Sequence, residues 1–277
     1  MYGIMEYRII SGAVTEIRRA MMAYREDGQR VRRGTKAKKS SVKKILRNEL
    51  NAVKALARTL NCNFVCGDLW LTLTFEGDID WTTAQTVFDR FLRKLRTIYR
   101  RTRGTPLPYV YSCGRKSGEL DARPHFHIVL PVMDYEEITA LWPAGGVTYR
   151  RLDGRGDYTG VARYMISNAR GEEGKKKYHP SRGLKKPVYT EPVPVYAYGK
   201  IRIPKDVSIR EQTETRDEDT GFYTAYVRYV KKTIPQSAAQ TAPFTQGSRE
   251  RERKGNDARV SPRTDIDKCP KSGGVSR

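Results

Sequence analysis

The chain has 277 residues, enough for one sizeable domain with appendages. Its 53 Lys and Arg residues against 31 Asp and Glu residues leave a net charge of +22 and a pI near 9.9. This surplus favours a polyanionic partner, nucleic acid before any other, over a protein that is merely basic. A membrane surface fits less well, because no basic amphipathic helix has a broad apolar face free for lipid.

The sequence also predicts a reducing, cytoplasmic location. Its cysteines show no disulfide framework, and no apolar stretch approaches the roughly 20 residues that span a bilayer. The N-terminal residues lack the charged start and apolar core of a signal peptide. No P-loop pattern is found, so we expect no nucleotide cofactor.

Residues 1–66 are predicted to form a basic N-terminal region with one helix. The segment Arg30–Lys44 holds eight basic residues and no acidic one, which indicates a flexible loop able to contact phosphates. Apolar residues then recur at helical spacing, interrupted only by Glu49, and predict a helix from about Ser41 to Leu60.

Residues 67–235 are predicted to form an α+β domain with an antiparallel central sheet flanked by helices. The alternation in Leu69–Phe75 is typical of a strand, with the leucines on one face and Trp70 and the threonines on the other. An amphipathic helix with a basic outer face follows over Thr82–Arg101. Further strands are predicted over Val110–Cys113, Pro124–Leu130, Val147–Leu152 and Phe222–Val230, the last closing the sheet, and further helices over Asp134–Leu141 and from Asp157 or Thr159 to about Gly171.

Residues 236–277 are predicted to form a disordered basic tail. This segment is rich in Ser, Gln, Gly, Arg and Lys and nearly free of large apolar groups. It cannot bury enough surface to offset its chain entropy. We assign it at most nonspecific DNA affinity.

Two of the three histidines, His125 and His127, lie two residues apart in an apolar run. In a strand their imidazoles point to the same face, while Phe126 points to the opposite face and anchors the strand in the core. Such a pair suits a divalent cation, Mg²⁺ or Mn²⁺, and leaves positions open for water and phosphate oxygens. Glu119 is the first candidate for a third ligand.

Tyr164 is the candidate nucleophile, on the helix that follows the histidines by 37 positions. Ser167 and Asn168, at i+3 and i+4, give Tyr164 a polar helix face, and Tyr158 is the second candidate. Attack by a tyrosine on DNA would join the enzyme covalently to the strand, and the reaction could be reversed as strand joining. A half-buried packing role is the commoner use of a helical tyrosine.

A basic segment with interleaved aromatic residues follows this helix and is predicted to grip phosphates and stack on unpaired bases. An exposed basic loop without function is the alternative. The predicted DNA-binding residues, with two from the tyrosine helix, are Arg163, Asn168, Lys175, Lys176, Lys177, Tyr178, His179, Arg182, Lys185 and Lys186.

The order and spacing of these motifs resemble rolling-circle replication initiators, in particular the phage and plasmid replication-associated proteins of the HUH endonuclease superfamily. The resemblance spans roughly Asn61 to Pro187 and is carried by five motifs: Leu-Thr-Leu-Thr-Phe (71–75), Arg-Pro-His-Phe-His-Ile-Val-Leu (123–130), Trp142 with Gly145-Gly-Val, Val-Ala-Arg-Tyr (161–164) and Tyr-His-Pro-Ser-Arg-Gly-Leu-Lys-Lys-Pro (178–187).

The resemblance implies a metal-dependent nick in single-stranded or hairpin origin DNA, with His125 and His127 as the metal pair and Tyr164 as the nucleophile. It implies a 5′-phosphotyrosine, a free 3′-hydroxyl for a host polymerase, a host helicase and a bacterial host. Two positions differ from many relatives: Ser167 and Asn168 replace a lysine one turn after the tyrosine, and Ser112 and Cys113 stand where an acidic residue precedes the histidines.

Two alternatives remain from the sequence. A transposase or a mobilisation relaxase of the same superfamily would share this chemistry. A non-catalytic basic nucleic-acid-binding protein would explain the charge equally well but would leave the histidine pair unexplained.

Overall fold

Two antiparallel sheets and four helices make up the described part of the chain, so the fold is α+β, as predicted. The structure is a computed structural model, and it describes residues 2–23, 42–114, 123–169, 176–195, 201–216 and 222–232. These residues belong to one compact unit, Met1–Ser237. The boundaries proposed at 66/67 and 235/236 remain predictions, and the predicted tail, 236–277, lies outside the described residues.

The first sheet, called here the histidine sheet, has five strands in the order β6-β3-β5-β4-β7. Every neighbouring pair is antiparallel, and β3 and β5 are the central pair. Its strands are β3 (Leu69–Thr74), β4 (Val110–Gly114), β5 (His125–Leu130), β6 (Val147–Arg151) and β7 (His179–Pro180). The predicted strands over 69–75, 110–113, 124–130 and 147–152 are thereby confirmed.

The second sheet, called here the hairpin sheet, has the strand order β10-β11-β2-β1-β8, and β9 also pairs with β1. A long hairpin turning at Gly12 joins the first two strands. The strands are β1 (Tyr2–Ser11), β2 (Val14–Ala23), β8 (Val188–Tyr189), β9 (Val193–Pro194), β10 (Val207–Arg216) and β11 (Tyr223–Lys231).

Two expectations are corrected by the hairpin sheet. The N-terminal region contains two long strands besides its one helix, so the prediction of a helical extension was incomplete. The strand predicted over Phe222–Val230 exists, but it pairs with β10 and β2 and closes the hairpin sheet instead of the histidine sheet. The charged residues that these strands bury, among them Glu16 and Arg19, hide the alternation by which a strand is recognised.

Helices cover both faces of the histidine sheet. The helices are α1 (Val42–Asn63), α2 (Trp81–Arg103), α3 (Tyr135–Leu141) and α4 (Thr159–Ser167). Leucines of β3 with Phe126 and Ile128 of β5 form one core with α2 and α3. On the opposite face, Val110 and Val129 form a second core with α1 and α4. The histidines and Tyr164 therefore belong to the face that α1 and α4 cover.

Local sequence signals explain where the helices begin and end. The carboxylate of Asp80 accepts hydrogen bonds from the backbone N–H groups of Thr82 and Thr83 at the start of α2. Gly104 ends this helix in the left-handed conformation, with φ 71°. Asp134 caps α3 in the same way. No helix among the described residues is long and apolar enough to cross a bilayer.

Candidate active site

His125 and His127 project from β5 toward the α4 side of the histidine sheet. The strand register places Thr72 of β3 and Ser112 of β4 on either side of His127. In the same way, Thr74 and Gly114 flank His125. Phe126 is fully buried in the opposite core, as the alternation predicts. The two imidazole centroids lie 5.0 Å apart, so both rings border one small volume.

His127 is almost completely buried, with 1% of its surface exposed. A hydrogen bond of 3.0 Å joins its Nδ1 to the hydroxyl of Thr72, whereas its Nε2 is buried without a hydrogen-bond partner. Burial and the neighbouring His125 lower the pKa of His127 to about 4, so the ring is neutral near pH 7. A neutral imidazole whose second nitrogen is oriented by a hydroxyl is the form that binds metal ions.

His125 lies at the rim of the same volume and is half-buried. Its Nδ1 is 3.1 Å from the carbonyl oxygen of Arg123. A carbonyl only accepts, so Nδ1 carries the proton and the lone pair is left on Nε2. Gly114 provides the room for this ring, because a Cβ at that position would lie 2.0 Å from Nε2.

Tyr164 lies directly beside the histidine pair and keeps 45% of its surface exposed. Its ring centroid is 5.1 Å from that of His127, at 79° between the ring planes. Trp70 of β3 supports the ring from another side, also at 5.1 Å between centroids. The phenol is therefore held by ring contacts on the protein side and remains open to a ligand from solvent.

Contacts at both ends hold α4 in this position. At its start, Asn61 of α1 accepts a hydrogen bond from the N–H of Tyr158, and Asp157 accepts from the N–H of Thr159. Arg228 of the hairpin sheet binds both carboxylate oxygens of Asp157, at 3.2 and 3.0 Å. At its end, Ala169 forms a β-bridge with Gly114. The same glycine thus borders His125 and the end of the tyrosine helix.

The structure separates the two candidate tyrosines. Tyr158 is buried in the core that α1 and α4 share, with 4% of its surface exposed. Burial, and then the negative charge of Asp68, raise its pKa well above the ordinary value of a tyrosine. A buried phenol that resists ionisation is a poor nucleophile toward DNA, so the geometry favours Tyr164.

A third metal ligand is not apparent among the His, Cys, Asp and Glu side chains in the described part of the chain, where no group of three such residues occurs. Glu119 lies outside the described residues. The hydroxyl of Ser112, opposite His127, is fully buried and has no hydrogen-bond partner. Two unsatisfied buried polar atoms, Ser112 Oγ and His127 Nε2, thus belong to cross-strand neighbours. An oxygen and two imidazole nitrogens form a donor set that fits Mg²⁺ or Mn²⁺.

The predicted DNA-binding residues have different surroundings. Tyr178 packs against the core shared by α1 and α4, and burial raises its pKa. His179 stacks on Tyr111 at 4.9 Å. Lys177 is paired with Glu49 of α1 at 3.0 Å, which explains the one charged position in that helix's apolar stripe. Exposed cations remain at Lys176, Arg182, Lys185 and Lys186, whereas Lys175 lies outside the described residues.

The two predicted residues of α4 differ from this loop. Asn168 donates from its side-chain amide to the carbonyl oxygen of Tyr164, at 2.9 Å, and Ser167 donates to the same oxygen. Both side chains therefore end the helix instead of reaching the phenol. Arg163 is exposed and borders a cleft that Lys54 and Glu211 also line.

Sequence reasoning did not assign roles to Trp70, Thr72, Ser112 and Gly114. The alternation of β3 had placed Trp70 and Thr72 on one face, which was a usable signal. Ser112 and Gly114 acquire meaning only from the register of β4 against β5.

The fold and site define an α+β protein that carries a histidine pair on a central strand and a tyrosine on an adjoining helix. Residues 68–169 match the family model of the replication-associated protein ORF2. This region contains β3 to β6 and α2 to α4, with His125, His127 and Tyr164, and the similarity is consistent with a replication initiator. No curated protein and no solved structure matches the chain significantly.

Proposed function

We propose that this protein initiates rolling-circle DNA replication by cleaving and rejoining one DNA strand through Tyr164. The observation that carries the proposal is the exposed phenol of Tyr164, 5.1 Å in ring-centroid distance from a buried histidine whose Nε2 has no partner. The match of residues 68–169 to a replication-associated family supports it. Single-stranded or hairpin origin DNA would be the substrate.

In this mechanism the Tyr164 oxygen attacks the phosphorus of the scissile phosphodiester and its proton passes to solvent. The bond from phosphorus to the 3′ oxygen breaks, and that oxygen leaves as a free 3′-hydroxyl after taking up a proton. The 5′ phosphate stays on the tyrosine as a phosphodiester, so a returning 3′-hydroxyl can reverse the step and seal the strand. Trp70 and the anchored ends of α4 keep the phenol in line for attack.

His125 Nε2, His127 Nε2 and the Ser112 hydroxyl would hold Mg²⁺ or Mn²⁺. A bound divalent cation supplies charge stabilisation to the phosphate as negative charge builds on its oxygens. Thr72 and the carbonyl of Arg123 orient the two rings toward that position. Glu119 remains a proposed further ligand.

The basic loop after α4 would bind the same strand. Its exposed cations can neutralise phosphates, while the rings of Tyr178 and His179 offer stacking surface for unpaired bases. A host helicase would separate the strands and a host polymerase would extend the 3′-hydroxyl, in the cytoplasm of a bacterial host.

The test is a covalent adduct on denaturing gels, formed with an end-labelled, random-sequence single-stranded DNA library and Mn²⁺. A 5′-phosphotyrosine retains the 3′ part of the strand, so a 3′-end label should migrate with the protein and a 5′-end label should be released. Tyr164→Phe should abolish the adduct, and Tyr158→Phe, the matched control, should retain it. A native-gel shift without any adduct would instead indicate a non-catalytic DNA-binding protein.

A second prediction concerns the metal. Ser112→Asp should place a carboxylate beside the two imidazoles, so Mn²⁺ should bind more tightly, whereas Ser112→Ala should weaken binding. Without metal, the aspartate variant should be less stable by a few kcal/mol, because a buried charge without a partner is costly, and Mn²⁺ should restore that stability. Calorimetric titration and thermal unfolding with and without Mn²⁺ measure both effects. Equal Mn²⁺ affinity in all three proteins would exclude Ser112 from the site.

A further inference from the structure

The outer face of α2 carries the densest cationic surface of any described helix. Seven exposed basic residues lie on it, against one acidic residue, Asp89, whose carboxylate is held by Gln85 at 2.9 Å. No ion pair within the described residues involves any of the seven. They are Arg90, Arg93, Lys94, Arg96, Arg100, Arg101 and Arg103.

Helix stability explains only part of this charge. Cations in the last turn, Arg100 to Arg103, complement the helix dipole. Arg90, Arg93 and Arg96 lie further back, where the dipole contributes little. Their mutual repulsion across i, i+3 spacings is an unfavourable contribution that no acidic neighbour on the helix offsets.

The surface lies on the opposite side of the histidine sheet from Tyr164. The apolar face of α2, with Phe88 and Leu95, packs on the core that contains Phe126. The active-site side chains leave the other face of the same strands. A strand bound at Tyr164 therefore cannot contact the outer face of α2 without passing the edge of the sheet.

The composition of the two sides differs in a way that distinguishes their ligands. Around Tyr164 the protein presents Trp70, Tyr178 and His179, and such rings stack on unpaired bases. The exposed positions of α2 hold only Arg, Lys, Thr and one Asp, with no aromatic residue. Arg, Lys and Thr contact phosphate oxygens, and a convex helix without stacking groups suits a duplex, whose bases are already stacked.

We propose that the outer face of α2 binds the phosphate backbone of duplex DNA, independently of sequence. Arg90 to Arg103 span about 20 Å of helix, and duplex DNA carries one phosphate per roughly 1.7 Å of its axis, so several phosphates come within reach. The surface would hold duplex DNA while single-stranded DNA occupies the Tyr164 side. This proposal rests on the charge and exposure of α2 and does not require the tyrosine chemistry.

The test measures the salt dependence of binding to a blunt, labelled DNA duplex of arbitrary sequence by fluorescence anisotropy. The triple variant Arg93→Gln, Arg96→Gln and Arg100→Gln removes three charges from one face and keeps good helix formers. The matched control, Arg202→Gln, Lys205→Gln and Arg210→Gln, removes three exposed charges elsewhere. Loss of three phosphate contacts should lower the slope of log K against log salt by about 2.7 and weaken duplex binding roughly 10- to 100-fold near physiological salt.

We expect this loss in the α2 variant alone, with unchanged binding of a single-stranded oligonucleotide. A wild-type slope in the α2 variant would overturn the proposal. An equal loss in the control variant, or an equal loss for single-stranded DNA, would also overturn it, because the effect would then be one of net charge. Should the triple variant not fold, Arg96→Gln alone should lower the slope by about 0.9.

Discussion

Replacing Gly114 by alanine should reduce Mn²⁺-dependent adduct formation by about 10²-fold or more while leaving the fold intact. The new Cβ would lie 2.0 Å from Nε2 of His125 and 2.4 Å from its Cδ2, so the ring must leave its position. Because His125 is at the rim, the ring can turn toward solvent without disturbing the core. The substitution thus removes a proposed metal ligand without altering a ligand residue.

Gly160→Ala is the matched control for that substitution. Gly160 lies on the tyrosine helix, and no atom is within 4 Å of the position its Cβ would take. Alanine should stabilise the helix by about 0.5–1 kcal/mol and leave adduct formation unchanged. Mn²⁺ titrations and adduct yields for both variants decide the matter. Wild-type metal binding by Gly114→Ala would show that His125 takes no part in the site.

Arg228→Met should lower the free energy of unfolding by about 3–5 kcal/mol and also slow adduct formation. Arg228 is the cation that pairs with the buried carboxylate of Asp157, and it also contacts Thr159, the first residue of α4. Without it a buried charge is left uncompensated at the start of the tyrosine helix. That helix has nine residues, so a shift at its start reaches Tyr164.

The chain offers a matched control in a second buried ion pair of the hairpin sheet. Arg58 of α1 binds both carboxylate oxygens of Glu16, each at 2.6 Å, and has no contact with α4 among its hydrogen bonds. Arg58→Met should cost similar stability, yet adduct formation below the unfolding temperature should stay near wild type. Urea unfolding and single-turnover kinetics at saturating DNA separate the two effects. Equal slowing in both variants would mean that stability alone controls the rate.

The elements from β3 to α4 could be predicted from the sequence because each has a strong local signal. Strand alternation in Leu69–Thr74 and helical periodicity in Trp81–Arg103 do not depend on distant residues. The bounds differ from the predictions by one to four residues, since caps and fraying decide where a helix ends.

The hairpin sheet could not be predicted in this way. Its inner face buries Glu16 and Arg19, whose partners are Arg58 and Glu6, and Tyr226 donates a further hydrogen bond to Glu16 from 210 positions away. A strand that buries charges looks amphipathic on neither face. Its pattern is intelligible only once the partners are known.

The candidate site shows the same division. The spacing of His125 and His127 and the position of Tyr164 were visible in the sequence because few residue types perform this chemistry. Ser112 and Gly114 were not, since a serine and a glycine in a strand carry no signal of their own. Their relation to the histidines arises from the pairing of β4 with β5.

The most direct test of the central claim is to identify the tyrosine that carries DNA. Trypsin cleaves after Arg155, Arg163 and Arg170, so the two candidates fall in separate peptides, 156–163 with Tyr158 and 164–170 with Tyr164. After nuclease trimming of the adduct, tandem mass spectrometry should find the phosphonucleotide on Tyr164. A modified 156–163 peptide, or DNA joined to any other residue, would contradict the account.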